Sequence, residues 1–202
     1  MRILITFVVV VLFSEIGVTR VVGQNPDQNN RHRLDVTAPP NEELNTAPAS
    51  AVLAAFEKLK ELVGEWEARD GVSYGGKPIR ISYKIISNGT GVMETYSQVG
   101  VDMIEMVTVY HLDGDKLMLT HFCAVNNQVR LRAEPILEGG KELRFSYVDA
   151  TNLPVSHQEV MNNLMITFQD RDHFTQTWTW RVTNDKGKTY DDKAVYNFVR
   201  RK

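Results

Sequence analysis

A strict alternation of apolar and polar residues fills most of the chain after Gly64, and it limits the possible folds more than any other feature. In "HFTQTWTWRV" (residues 173–182), aromatic and aliphatic side chains fall on one side of an extended strand and threonines fall on the other. The same pattern recurs at Ile79–Ile85, Leu143–Tyr147 and Leu164–Phe168. Turn signals separate these segments by about eight to twelve residues, which is typical of an all-β domain.

The number of segments predicts how the sheet is arranged. We expect about ten strands between Glu65 and Arg200, joined throughout by hairpins. A closed up-and-down antiparallel β-barrel removes the exposed edges that an open sheet of this size would have. A β-sandwich is the alternative. Before the strands, "SAVLAAFEKLKELVGEW" (residues 50–66) has helical spacing, and we expect a short N-terminal helix that packs over one end of the barrel.

The first 49 residues are unlike the rest of the 202-residue chain. The apolar run Ile3–Phe13 after Arg2 is typical of a signal peptide, which predicts residues 1–23 as a cleaved signal and an exported, periplasmic or secreted protein. A retained membrane anchor is the alternative. Residues 24–49 are rich in Asn, Pro and Asp, which predicts a disordered linker. Residues 50–202 then form the barrel domain. The net charge of -2 and the lack of a basic cluster argue against nucleic acid as a partner.

Two blocks of sequence resemble a known superfamily. The helix that runs into "LVGEWE" (residues 62–67), with Arg200 in the last strand, resembles the calycin pattern shared by lipocalins, fatty-acid-binding proteins and nitrobindins. "LMLTHFCAVNNQVRLRA" (residues 117–133) and "FVRRK" (residues 198–202) also resemble exported bacterial lipocalin-like domains that have no assigned function. The resemblance covers about Ala51–Lys202. It implies a barrel that holds a small molecule, with Trp66 and Arg200 closing one end.

The parity of the turns predicts which residues point into the barrel. If Asn126 and Asn127 form a two-residue turn, one face of the hairpin carries His121, Cys123, Gln128, Arg130 and Arg132. A two-residue turn at Asp113-Gly114 places the same face in line with mostly apolar residues, namely Ile104, Met106, Thr108, Tyr110, Leu117 and Leu119. We therefore expect this face inside, where it would also bury the only cysteine. The alternative leaves the polar side chains in water.

A third turn predicts the charge of the interior. The turn at Asn88-Gly89 places Glu94 and Tyr96 on the inward face of Tyr83. Buried charges are rarely left unpaired, so we expect Glu94 to pair with Arg130 or Arg132. Since two arginines would face one carboxylate, the interior has room for an anionic ligand.

These inferences predict a site for a small amphipathic or anionic ligand, with no catalysis. The expected lining is Tyr83, Glu94, Tyr96, Met106, Tyr110, His121, Cys123, Gln128, Arg130, Arg132, Gln176, Trp178 and Trp180. The alternative is that the tryptophans are plain core and the arginines are solvated.

Three kinds of chemistry compete with plain ligand binding. A metal site would need ligands beyond His121 and Cys123, and the sequence has no metal-binding motif that supplies them, so we expect none. We expect no cofactor either, although the resemblance to nitrobindins implies haem as an alternative, held here by His121. An enzyme that uses the Cys123 thiol with His121 as base is the third alternative. Side chains two apart on a strand lie about 7 Å apart, which is too far for a direct hydrogen bond.

Overall fold

The structure is a computed structural model that describes residues 50–68, 77–100, 105–135, 140–154 and 158–202. The expected signal peptide (residues 1–23) and linker (residues 24–49), and also Ile104, lie outside the described residues.

One helix and ten strands make up the described chain. They are α1 (Ser50–Lys60), β1 (Gly64–Ala68), β2 (Ile79–Ile86), β3 (Gly91–Gln98), β4 (Glu105–Asp113), β5 (Lys116–Phe122), β6 (Gln128–Ala133), β7 (Glu142–Thr151), β8 (Gln158–Phe168), β9 (His173–Thr183) and β10 (Thr189–Arg200). Each strand pairs antiparallel with the next, and β1 pairs with β10. The predicted closed up-and-down barrel is confirmed, and the sandwich is excluded.

Helix α1 covers the end of the barrel at which β1 begins, which we call the helix end. Its apolar face buries Ala55, Phe56 and Leu59, while Leu53 stays exposed. The indole of Trp66 donates a hydrogen bond of 2.7 Å to the carbonyl of Leu62, which fixes the passage from helix to strand. The opposite end, where β5 turns into β6, is called the far end.

Arg200 holds the first and last strands together at the helix end. Its guanidinium carbon lies 4.0 Å from the centre of the Trp66 ring, and the two residues are paired across β1 and β10. The guanidinium also donates hydrogen bonds to the carbonyls of Val63, Glu61 and Arg171 at 2.9 to 3.1 Å. The predicted closing pair is confirmed.

Two of the three turn predictions have the correct parity. Strands β2 and β3 are joined by a four-residue turn, since Ile86 pairs with Gly91. Strands β4 and β5 are joined by Gly114 and Asp115, one position later than predicted, since Asp113 pairs with Lys116. A shift of one turn position changes the register by two and leaves the faces unchanged. The buried residues on this inward face are Thr108, Tyr110, Leu117, Leu119 and His121, as predicted.

The prediction for the hairpin of β5 and β6 is wrong. Phe122 pairs with Gln128, so five residues, Cys123–Asn127, connect the strands instead of two. Asn126 adopts a positive φ of 75°, which an Asn tolerates well. Asn127 turns its side chain inward and is almost completely buried. Because the loop has an odd number of residues, β6 is reversed relative to the prediction, and Val129 and Leu131 point inside.

Strands β7 and β8 part towards the far end. Their ladder runs from Glu142↔Thr167 to Ser146↔Asn163, and the remaining parts of both strands pair with their other neighbours. A bulge interrupts each strand next to this point, one opposite Arg130/Leu131 and one between Met161 and Asn163. Tyr147, expected to be buried beside Phe145, is 40% exposed because the neighbouring ladder has ended.

Candidate ligand-binding site

A buried carboxylate lies at the centre of the barrel interior. Glu94 is 2% exposed, and its Oε2 atom accepts hydrogen bonds from Tyr83 at 2.5 Å, Tyr110 at 2.9 Å and Gln176 at 2.7 Å. The Gln176 amide also donates to the Tyr83 hydroxyl and accepts from the Trp178 indole. Strands β2, β3, β4 and β9 therefore meet in one polar network. The predicted inward positions of these five side chains are confirmed.

The charge of the interior differs from the prediction. Burial raises the pKa of the Glu94 carboxyl, and the hydrogen bonds from Tyr83, Tyr110 and Gln176 oppose this effect. Burial and the nearby Glu94 charge in turn raise the pKa of both tyrosines. Among the described residues no arginine or lysine is buried, so the expected partner of Glu94 is wrong. Neutral donors hold this carboxylate instead.

Gln128, Arg130 and Arg132 lie outside the barrel, contrary to prediction. Arg130 donates from Nε to Asp149 at 2.7 Å, and its Nη2 contacts the second carboxylate oxygen. This guanidinium is 55% exposed, and Asp149 is its direct cross-strand neighbour on β7. Gln128 accepts a hydrogen bond from Thr151, and Arg132 is exposed. The reversed parity of the five-residue loop places all three outside, so they do not form an interior anion site.

His121 is the buried polar residue on which the candidate binding site is centred. It is 3% exposed, its Nδ1 atom lies 2.9 Å from the Thr108 hydroxyl, and its ring centre lies 5.0 Å from that of Trp178. Burial lowers the pKa of this imidazole to about 4, so it is neutral at pH 7. Its other nitrogen, Nε2, is buried and has no hydrogen-bond partner among the described residues.

Cys123 and Asn127 are the first and last residues of the far-end loop that follows β5. The Asn127 amide nitrogen donates to the carbonyl of Glu159 on β8 at 2.7 Å, while its Oδ1 atom is buried without a partner in the described chain. Cys123 is a free, half-buried thiol at the start of the loop. Burial raises the pKa of this thiol, and the nearby Glu159 charge adds to the effect. The thiol is therefore protonated at neutral pH.

The remaining predicted lining residues lie around the far end and are half-buried. Tyr96 and Met106 are paired with each other across β3 and β4, in the same row as the buried Ile81. Trp180 is paired with Met161 across β8 and β9. The residues that sequence reasoning left out are Asn127, Met161 and Tyr196, the last with its ring centre 6.4 Å from that of Tyr96. Asn127 had been assigned to a turn, and its burial depends on a contact with β8 that no local pattern encodes.

Clefts on the outer surface do not include this site. One, of about 530 Å³, lies between the start of α1 and strands β5, β6 and β7, and its lining includes Val52, Leu117 and Tyr147. A second, of about 500 Å³, lies at the helix end beside Phe168 and Arg200. Neither is lined by Glu94, His121 or Trp178.

Within the described ranges, no group of three or more His, Cys, Asp or Glu side chains is placed to hold a metal ion. No helix in these ranges has the length and apolar character needed to cross a bilayer.

Comparison with known proteins gives no family assignment. No protein-family model matches the chain, and no curated protein matches it in sequence. The closed ten-stranded barrel is compatible with a calycin-like fold.

Proposed function

We propose that the barrel binds a small amphipathic molecule in its far half, against His121 and Trp178. The observation that carries this proposal is the unpartnered Nε2 atom of the buried His121. A buried polar atom without a partner costs about 1 to 3 kcal/mol. A ligand that supplies the partner recovers this free energy, and the neighbouring Trp178, Tyr96 and Met106 offer apolar contact to the rest of the molecule.

The interior favours a neutral ligand over an anion. The arginines that would attract a carboxylate are outside the barrel, and among the described residues Glu94 is the only Asp, Glu, Lys or Arg side chain that is buried. An anion placed near Glu94 would meet repulsion that water screens poorly in a buried site. A neutral or weakly basic amphiphile meets no such penalty.

The states of His121 and Cys123 support binding and not nucleophilic catalysis. A catalytic thiol needs a lowered pKa, whereas burial raises the pKa of Cys123. The histidine base in such a pair would face the thiol, but the described partner of His121 is Thr108.

The experiment is a thermal-shift screen of neutral, cationic and anionic amphiphiles of matched size. It uses wild type, His121→Phe and the control His173→Phe, which changes an exposed histidine paired with Asp170. We expect neutral compounds to stabilise wild type and the control more than His121→Phe. Equal shifts in all three proteins, or a preference for anions, would contradict the proposed site.

Haem is the second candidate, because a buried histidine nitrogen that has no hydrogen-bond partner is available to coordinate the haem iron. The donor geometry argues against it. Thr108 has no described partner other than His121 Nδ1, so we assign its hydroxyl proton to that bond and the imidazole hydrogen to Nε2. Iron would require the other tautomer. A Soret band on reconstitution that disappears in His121→Phe would select haem, and its absence would remove this candidate.

We also propose that the protein is exported, on the strength of the Ile3–Phe13 apolar run. N-terminal sequencing of the exported form should begin near Gln24. A sequence that begins at Met1 would contradict cleavage.

A further inference from the structure

The described residues contain two buried side-chain atoms that lack a hydrogen-bond partner, and both are at the far end of the barrel. They are Nε2 of His121 and Oδ1 of Asn127. Buried polar groups in folded proteins are nearly always paired, so each such atom requires an explanation. Two of them in the same half of one barrel suggest a shared missing partner.

The two atoms have opposite hydrogen-bonding character. Since the Thr108 hydroxyl has no other described partner, we assign its proton to the bond with His121 Nδ1, which places the imidazole hydrogen on Nε2 and makes this atom a donor. The orientation of the Asn127 amide follows from its bond to the Glu159 carbonyl, which can accept only from nitrogen, so Oδ1 is an acceptor. The missing partner must therefore offer an acceptor to His121 and a donor to Asn127.

The strand register places these atoms near each other. His121 is paired with Val129, and a backbone hydrogen bond of 3.0 Å from Cys123 to Asn127 extends the pairing two residues further, to the buried Asn127. Such diagonal neighbours have their backbones about 7 to 8 Å apart. The Trp178 ring lies beside the His121 ring, with 44° between their planes. A flat molecule of one or two rings is of a size to contact all three side chains.

We propose that the far half of the barrel recognises a neutral, planar ligand with an amide-type edge, in which an N–H and a C=O are adjacent, as in a lactam or an imide. The carbonyl would accept from His121 Nε2, the N–H would donate to Asn127 Oδ1, and the ring would pack on Trp178. The inference rests on the proposed function, because it names the ligand class of that same site.

The same two atoms disfavour a carboxylate ligand. A carboxylate has acceptors only, so it could satisfy His121 while its second oxygen faced the Asn127 acceptor. It would also bring a second negative charge towards Glu94. Anionic amphiphiles such as fatty acids, which belong to the ligand class predicted from Arg130 and Arg132, therefore fit the site less well than neutral cyclic amides.

The test uses four bicyclic probes, of which coumarin matches 2-quinolone in size and N-methyl-2-quinolone is larger by one methyl group. 2-Quinolone has both the N–H and the C=O, N-methyl-2-quinolone and coumarin keep only the acceptor, and naphthalene has neither. Binding is measured by calorimetry or by quenching of tryptophan fluorescence, on wild type, His121→Phe, Asn127→Leu and the outward control Arg130→Met. Circular dichroism checks that each variant is folded.

We expect 2-quinolone to bind wild type and Arg130→Met equally and at least about tenfold more tightly than N-methyl-2-quinolone, since the latter leaves a buried acceptor unpaired. In Asn127→Leu, the two compounds should bind with similar affinity. In His121→Phe, which removes the donor to the carbonyl but keeps the Asn127 acceptor, 2-quinolone should bind more weakly than to wild type. If Asn127→Leu does not fold, the N-methyl comparison on wild type and the His121→Phe result decide the question.

The possible failures are distinguishable. If all four probes bind wild type equally, the amide-edge inference is wrong while an apolar binding site remains. If none binds, naphthalene included, the proposed function fails together with it. Binding that Arg130→Met weakens as much as His121→Phe would place the site elsewhere and overturn the inference.

Discussion

Protonation of His121 should make the stability of the barrel depend on pH below about 6.5. Burial lowers the pKa of this imidazole from 6.5 to about 4, so the folded protein keeps it neutral. The unfolded chain takes up a proton as pH falls through 6.5, and the folded chain does so only near pH 4. The contribution of His121 to the free energy of unfolding is therefore fully present above pH 6.5 and is lost progressively as the pH falls to 4.

The size of this loss follows from the two pKa values. The difference between the pKa of 6.5 in the unfolded chain and the pKa of about 4 in the folded chain corresponds to about 3 kcal/mol of unfolding free energy. About 2.5 kcal/mol of this should be lost by pH 4.5. Glu94 acts in the opposite direction, because burial raises its pKa and protonation then favours the folded state. The difference between wild type and His121→Phe isolates the histidine, since Glu94 is present in both proteins.

The assay is urea unfolding at several pH values between 7 and 4.5, followed by tryptophan fluorescence. The free energy of unfolding of wild type should fall relative to that of His121→Phe by about 2 to 3 kcal/mol over this range. Parallel pH profiles for wild type and His121→Phe would refute the reasoning and show that the imidazole is not held neutral by burial.

Three other perturbations test the framework around the site. Arg200→Ala should destabilise the barrel by about 2 to 4 kcal/mol, since it removes both the contact with Trp66 and hydrogen bonds to carbonyls. The control Arg130→Ala should cost under about 1 kcal/mol, because the ion pair of Arg130 is exposed. Equal urea midpoints for the two variants would contradict this prediction. Glu94→Gln should change the free energy of unfolding by less than about 1.5 kcal/mol, because the amide oxygen can still accept from Tyr83 and Tyr110. Glu94→Ala should cost about 3 kcal/mol or more. Similar losses in both variants, measured by urea unfolding, would show that the negative charge is essential. Iodoacetamide should label Cys123 at least about tenfold more slowly in the native protein at pH 7 than in urea, because burial raises the thiol pKa and limits access. Equal labelling rates in the native and unfolded protein would place the thiol at the surface.

The fold could be predicted from the sequence because its main determinant is local. Alternation with period two, as in residues 173–182, identifies a strand with one buried face without knowledge of its neighbours. The position of Glu94 followed in the same way, since the β2–β3 turn preserves parity whether it has two or four residues. Local patterns were therefore sufficient to place Tyr83, Glu94 and Tyr110 inside.

The partners of these residues could not be predicted, because they depend on contacts between distant strands. Asn126-Asn127 has the composition of a two-residue turn, but the Asn127 amide bonds to Glu159 on β8, and this tertiary contact lengthens the loop. One loop residue more or less reverses every side chain of β6, so Arg130 and Arg132 were assigned to the wrong face. Gln176 meets Glu94 only when the barrel closes, because 82 residues separate them in the chain.

The most direct test of the proposed site is the nuclear magnetic resonance signal of the His121 side chain. A long-range nitrogen–proton correlation spectrum distinguishes the two neutral tautomers and follows each ring nitrogen on addition of 2-quinolone. We expect His121 to be neutral at pH 7 with the hydrogen on Nε2, and its Nε2 resonance to shift as the compound binds while those of His111 and His173 stay fixed. A bound compound that leaves the His121 signals unchanged would contradict the assignment of the far half of the barrel as the ligand site.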